Sequence, residues 1–277
     1  MNKIIQGSCF DLIKDLPDNS IDLIVTSPPY ADIKSYGKNI NVLHPDKYVD
    51  WILPLFNDIN RTLKPSGSFI LNIDDKCVKK KRHIYVFDLI VRSVKETDIQ
   101  LYDYYIWAKK SFKPSGNQKR VHHITEWLLH YVKDENKVKW NIDSVRIPYK
   151  EETIKRYNRK NPLDYTTDAN GNKIKKGRRG NRTLHEGGRL PDNIFTFNTN
   201  STTRGNKHPA PFNIEIPTWF IKSLTDEGDV VLDPFMGSGT TAEAAIKLDR
   251  QWIGFELNKL YVKQAQDRVK SLFQYTL

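Results

Sequence analysis

The 277 residues can bury a full core and carry one large domain with an inserted lobe, and 38% hydrophobic content leaves no apolar run long enough to span a bilayer. Two cysteines without a CxxC pair or His/Cys cluster argue for a reducing cytoplasm and against structural zinc, and the N-terminal MNKIIQGSCF lacks the apolar stretch of a signal peptide. Lys and Arg outnumber Asp and Glu by 44 to 33, a net charge of +11 that points to a polyanionic partner, with generic solubility as the alternative.

Along the chain, "SIDLIVTS" has the continuous aliphatic centre of a strand buried on both faces. "PDKYVDWILPLFNDINRTLKPSG" has helical spacing, with Tyr48, Ile52, Leu55 or Phe56, Ile59 and Leu63 on one face. Pro54 should kink this helix or mark its true start, and "KPSG" should stop it. "SFILNI" reads as the next strand, "IYVFDLIVRSV" as a helix and "LYDYYIWAKK" as a further strand, a core strand rather than a stacking platform. His122 and His123 in "VHHITEW" have no carboxylate or cysteine at metal spacing and read as loop or surface residues. Strand and helix alternate, which implies an α/β fold with a mostly parallel, Rossmann-like sheet and helices on both faces.

From about 140 to 206 the pattern changes. Residues 150 to 207 hold 14 Lys and Arg against 6 Asp and Glu, an excess of +8, with little periodicity and with interleaved Tyr149, Tyr157, Tyr165, Phe195 and Phe197. This composition suits a folded basic binding lobe; the alternative is a solvated loop. The chain thus divides into 1–139, a basic insert at 140–206, and 207–277. In the last part "IPTWFIKSLTDEGD" reads as a helix ending at Gly228, "VVLDPF" as a buried strand and "MGSGTTAEAAIKLD" as a glycine turn opening into a helix at Thr240. "QWIGFEL" is the last strand and "LYVKQAQDRVKSLFQYTL" an amphipathic closing helix.

"VVLDPFMGSGTTAEAA" is a strand, a glycine-rich turn and a helix. Gly237 and Gly239 let the backbone approach a ligand closely. Neither the Gly-Lys-Ser/Thr ending of a P-loop nor a GxGxxG fingerprint is present. Glu256, 17 residues beyond Gly239 at the tip of the next strand, is placed to accept ribose hydroxyls. Asp233 adds negative charge that suits a cationic ligand. A nucleoside carrying positive charge points to S-adenosylmethionine rather than NAD or ATP.

"TSPPYADIKSYG" follows the first buried strand, and its prolines cannot extend a sheet. At a strand's carboxyl end beside a cofactor crevice, Ser27 and the Pro28 carbonyl could hold the two N–H bonds of an exocyclic amine. Pro29 stiffens the loop, and Tyr30 offers a flat face for a flipped base, worth about 1–3 kcal/mol.

With these residues in view, the chain resembles the amino-methylating DNA methyltransferases of the permuted β class, found in restriction-modification systems. "LPDNSIDLIVTSPPY" resembles the catalytic motif and its approach, "LKPSGSFILNI" and "YIWAKKSFKPSG" the strands that follow, and the stretch from "KHPAPFNIEIP" to "YVKQAQDR" the cofactor block. The resemblance implies a class I S-adenosylmethionine-dependent methyltransferase fold, with catalytic residues Ser27, Pro28, Pro29 and Tyr30. It implies a cofactor loop of Asp233, Pro234, Phe235, Gly237, Gly239 and Thr240, with Glu256 on the ribose. His208, Pro209, Pro211 and Phe212 match the segment that closes over the methionine end. Where the family often has Gly-Asp after the first strand this chain has Gly7-Ser8, so Ser8 or Asp11 would contact the adenine.

Ser at position 27 resembles the cytosine-N4 branch, whereas Asp there resembles the adenine-N6 branch. Carbon-5 methylation is disfavoured, because neither Cys9 nor Cys77 follows a proline; both read as small core residues. The 140–206 lobe becomes the target-recognition region, with Arg178, Arg179, Arg182 and Arg189 as candidates for phosphates or guanine edges. The expectation is a cytoplasmic, site-specific enzyme that needs no metal. It would act on double-stranded DNA as a monomer or homodimer beside a separate cognate restriction endonuclease, with no membrane partner. Two rivals stand beside it: RNA and protein-glutamine methyltransferases also carry a "PPY" motif, and a DNA-binding module could retain a vestigial cofactor fold.

Overall fold

The computed structural model describes residues 1–31, 43–110, 121–158, 165–175, 184–197 and 212–274. The chain forms two compact units, residues 1–141 with 192–277, and residues 142–191.

In the larger unit the strands are β1 (Lys3–Gln6), β2 (Ile21–Thr26), β3 (Leu63–Ile73), the short β4 (Cys77–Val78) and β5 (Lys81–Arg82), β6 (Gln100–Ala108) and β7 (Thr125–Val132). The smaller unit holds the hairpin of β8 (Tyr165–Thr167) and β9 (Lys173–Lys175); β10 (Ile194–Phe195), β11 (Val230–Asp233) and β12 (Gln251–Glu256) belong to the larger one. The helices are α1 (Cys9–Leu12), α2 (Pro45–Thr62), α3 (Tyr85–Glu96), α4 (Glu151–Asn158, in the smaller unit), α5 (Glu215–Leu224), α6 (Thr240–Ile246) and α7 (Lys259–Gln274).

One sheet of eight strands organises the larger unit, in the order β1-β12-β11-β2-β3-β7-β6-β10. Every pairing in it is parallel except those of β7, which runs antiparallel to both β3 and β6. The sheet is Rossmann-like, as the alternation of elements predicts. β2 is buried at all six positions because both its faces are covered. Ile24 packs in a cluster with Tyr48, Ile52, Phe56 and Ile59 of α2 and with Tyr85 and Leu89 of α3. Leu23 and Val25 point the other way, into a cluster with Phe220 and Ile221 of α5 and Ala242 and Ala245 of α6.

The order places a reversal between β11 and β2. From β2 the chain crosses through α2 to β3 on one side; from β11 it crosses through α6 to β12 on the other. The carboxyl ends of two adjacent parallel strands there face helices leaving on opposite faces, which opens a crevice at the sheet edge.

Three element boundaries differ from the sequence reading. α2 starts at Pro45, where a missing N–H costs nothing, and runs through Pro54, which lies on the exposed side so that the carbonyl it leaves unpaired can face water. "KPSG" does not end α2: the helix stops at Thr62 and β3 begins at Leu63, with the extra residues bulging between the pairs Ile21–Leu63 and Leu23–Ser68. α5 ends at Leu224, not at Gly228; Gly228, at φ +82°, turns the chain towards β11. Cys9 is buried as expected, but Cys77 is exposed in β4.

In the smaller unit Ile147 and Arg189 form an isolated antiparallel bridge. The bridge requires glycine at 188, where φ is +103° and a Cβ would lie 2.3 Å from the Ile147 carbonyl oxygen. This unit falls inside the 140–206 stretch read as a basic insert, whereas Ile194–Phe195 joins the main sheet beside β6.

Candidate active site

β2 and β11 end side by side, and their last residues are tied together. Thr26 Oγ1 donates to Asp233 Oδ1 at 2.6 Å across 207 residues of chain. Thr241 Oγ1 donates to the other carboxylate oxygen at 2.6 Å, and the Phe235 N–H to Oδ1 at 3.0 Å. Asp233 is buried, and among the described residues no basic side chain pairs with it. Burial pushes its carboxyl up to about 6, against the pull of Thr241, Thr26 and the Phe235 N–H.

The glycine turn follows. Gly237 and Gly239 have φ of +54° and +86°, and a Cβ on Gly239 would sit 2.9 Å from the Ala265 Cβ of α7. Glu256 holds the turn: its Oε2 accepts the Gly237 N–H at 2.9 Å and its Oε1 the Asn258 N–H at 2.7 Å. Burial still raises the Glu256 carboxyl, and the two N–H bonds offset part of that rise. Gly7 N donates to the Glu256 carbonyl at 3.0 Å, which puts Ser8 beside the tip of β12; Asp11 lies exposed in the first turn of α1.

A cleft of about 330 Å³, part of it open to solvent, is lined by Ser27, Phe212, Asp233, Phe235, Met236, Gly237, Ser238, Thr240 and Thr241. Ser27 and the glycine turn, more than two hundred residues apart in sequence, therefore share one cavity. Beyond it Phe235 meets Trp51 at a ring distance of 5.9 Å, and Trp51 meets Phe10 at 5.5 Å.

On the β3 side of Ser27 lies a polar network that sequence reasoning did not find. Ser27 Oγ is 2.9 Å from the Tyr30 hydroxyl, which donates to Glu126 Oε2 at 2.7 Å. Asn72 Nδ2 donates to both the Tyr30 hydroxyl and Glu126 Oε2, each at 2.6 Å. Lys109 Nζ reaches Glu126 Oε1 at 2.5 Å. Burial first, and then the Glu126 charge, hold the Tyr30 phenol well above its ordinary value. Further out, His123 Nε2 contacts Asp74 at 2.7 Å and Asp75 at 3.4 Å. The histidine thus has the carboxylate partners that its local sequence lacks. Arg82 pairs with Asp75, and Lys109, shared with Glu126, lies 3.7 Å from Asp74, which offsets part of that cluster's charge. The one available signal was an acid, Glu126, inside a strand that is buried over most of its length.

Among the remaining candidates, Pro28, Pro29 and Pro234 follow the strand ends as expected. Arg189 is partly buried, and its guanidinium donates to the Leu190 carbonyl at 3.1 Å. His208, Pro209, Pro211, Arg178, Arg179 and Arg182 lie outside the described residues.

Comparison with known proteins gives the family and the fold. Residues 21–267 match the family model described as DNA methylase. The Type II methyltransferase M.PvuII of Proteus hauseri is 31% identical over 280 residues, covering 92% of this chain and 80% of that protein. The solved PvuII DNA methyltransferase, cytosine-N4-specific, superposes with a TM-score of 0.72 at 25% identity, covering 98% of this chain and 91% of the other. The DNA adenine methyltransferase YhdJ of Escherichia coli K12 is 26% identical over 99% of this chain and 84% of its own. M1.HpyAVI, solved as a SAM complex, shares the fold at a TM-score of 0.56 and 23% identity, over 96% of this chain and 98% of its own.

Proposed function

This chain belongs to the DNA methylase family, and we propose that it transfers a methyl group from S-adenosylmethionine to cytosine N4 of a base flipped out of duplex DNA. The observation that carries the reading is the shared cleft, with Ser27 on one wall and the Gly237 turn on the other. The Type II methyltransferases among its relatives support a place in a restriction-modification system. S-adenosylmethionine supplies an electrophilic methyl on a sulfonium centre. The donor set fits it: Asp233 is a buried carboxyl without a basic partner among the described residues, suited to a cationic ligand, and the Glu256 carboxylate at the tip of β12, beside the glycine turn, is the candidate for the ribose hydroxyls.

In this reading Ser27 Oγ and the Pro28 carbonyl hold the amine's N–H groups and aim the nitrogen lone pair into the cleft. Orientation and electrostatics then supply most of the acceleration. Extrusion of the base costs a few kcal/mol, which stacking on Tyr30 offsets. Cytosine rests on Ser27; the adenine-specific relative keeps adenine N6 as the second reading. The 142–191 unit is the candidate for target recognition, acting on DNA phosphates and base edges.

The test is labelled-methyl transfer to duplex DNA, RNA and protein, followed by nucleoside identification. N4-methylcytosine in DNA is expected. N6-methyladenine would replace the base assignment, and cofactor binding without any methylated product would leave only a vestigial fold.

A further inference from the structure

The polar network at the reversed strand has a direction that its atoms dictate. β7 runs opposite to its neighbours, so its first turn of side chains arrives at the edge where β2 and β3 end. That brings Glu126, 6% exposed, beneath Tyr30. A carboxylate has no hydrogen to give, so the Tyr30 hydroxyl must spend its single hydrogen on Glu126 Oε2. The Asn72 amide can only donate to the phenol oxygen, because its other hydrogen goes to the same carboxylate. The Ser27–Tyr30 contact of 2.9 Å, in which either hydroxyl could donate, is thereby resolved: Ser27 donates. Ser27 then turns only lone pairs towards the cleft it lines.

We propose that Glu126 makes Ser27 an obligate acceptor for the target amine and receives the proton the amine sheds, by way of Ser27 and Tyr30. The inference rests on the methyl-transfer reading of the site. An aspartate at position 27 would accept an N–H unaided; a serine does so reliably only when its own hydrogen is committed elsewhere. Here the required negative charge sits two hydrogen bonds behind it, compensated by Lys109.

The balance of the step is complete. The amine nitrogen forms its bond to the methyl carbon as the carbon–sulfur bond breaks, and sulfur keeps the bonding pair. The nitrogen, now cationic, gives a proton to Ser27 Oγ. Ser27 passes its hydrogen to the Tyr30 oxygen, Tyr30 passes its own to Glu126 Oε2, and Glu126 ends protonated. Among the described residues the other titratable groups on this side are Lys109, 3.7 Å from Asp74, with Asp75, His123, Arg82 and Tyr85 beyond it. Under this scheme Glu126 is a positioning and proton-accepting residue that touches the substrate only through Tyr30 and Ser27.

The experiment uses the full chain with Glu126→Gln and Tyr30→Phe. Glutamine keeps the shape of Glu126 but can present a donor to Tyr30. Phenylalanine keeps the ring and removes the link. Single-turnover transfer to duplex DNA should fall about 100-fold in each, with no further loss in the double variant. Affinities for S-adenosylmethionine and DNA should hold within about threefold, a difference of ~0.6 kcal/mol. A second readout is the ultraviolet titration of the Tyr30 phenol, isolated as wild type minus Tyr30→Phe; Glu126→Gln should lower its midpoint. Undiminished transfer by Glu126→Gln, an unmoved phenol midpoint, or parallel loss of cofactor or DNA binding would each overturn the relay alone. A wild-type chain that methylates no substrate would overturn the function and the relay with it.

Discussion

Asp233→Asn should make the protein more stable at neutral pH and no more stable in acid. Its carboxyl is buried between two strand tips, and its pKa rises from 3.8 to about 6 on folding. Two pKa units at about 1.4 kcal/mol each give about 3 kcal/mol. The sign follows from which state binds the proton more tightly. Folding favours the protonated acid, so the contribution is most favourable below 3.8, declines as pH rises through 6, and is about 3 kcal/mol less favourable above that. Asparagine carries no such term. Urea unfolding of both proteins at fixed ionic strength, without cofactor, should show the difference in unfolding free energy moving by about 3 kcal/mol towards the variant between pH 4 and pH 8. Other titrating groups cancel in the difference. A cationic ligand in the cleft should shrink the gap, because it stabilises the ionised carboxylate of the wild type. Parallel pH profiles for the two proteins would refute the account of Asp233 as a buried acid without a cationic partner.

His130 should act in the opposite sense: it is buried against Ser68 and its imidazole is held down to about 3, so unfolding takes up a proton below pH 6.5. Wild type should therefore lose up to about 1.4 kcal/mol per pH unit on acidification from 6.5, and His130→Phe should lose less over the same window in thermal melts. Gly239→Ala should cost about 1–2 kcal/mol from its left-handed backbone and should also weaken cofactor binding, since its Cβ would press α7 away from the turn; thermal unfolding and cofactor titration read the two effects separately. Tyr30→Ala should weaken capture of the flipped base by about 1–3 kcal/mol and leave the cofactor dissociation constant unchanged, whereas equal loss of both in a titration would end that division of roles.

The parts of the fold legible in the sequence are those whose cause is local. β2 announces itself by the aliphatic run at its centre, which both faces of the sheet bury, and the turn by Gly237 and Gly239, residues suited to the positive φ found there. α2 was legible in its apolar face but not in its response to Pro54, because whether an unpaired carbonyl faces water depends on the packing of the whole helix. "KPSG" looked like a stop and proved to be a bulge, since pairing with β2 resumes beyond it. His123 seemed partnerless because Asp74 lies 49 residues upstream. Glu126 was missed for the same reason: its partner Tyr30 is 96 residues away, and only the reversal of β7 brings the two together.

That reversal explains why one sheet edge can carry two chemistries. With every strand parallel, each tip would present the loop that follows its strand. The tips of β11 and β12 do this, and their loops form the glycine turn and its Glu256 clasp. β7 instead presents its beginning, so a side chain already fixed in the sheet, rather than a loop, stands under Tyr30. A carboxylate anchored by strand pairing and by Lys109 moves less than one on a loop, and a relay of hydrogen bonds near 2.7 Å tolerates little movement. The cofactor side faces a different demand, close backbone approach, and a glycine turn meets it. The parallel pairing of β2 with β11 fixes the distance between the two halves at the point where the strand order reverses, and the Thr26–Asp233 bond ties the two strand tips together.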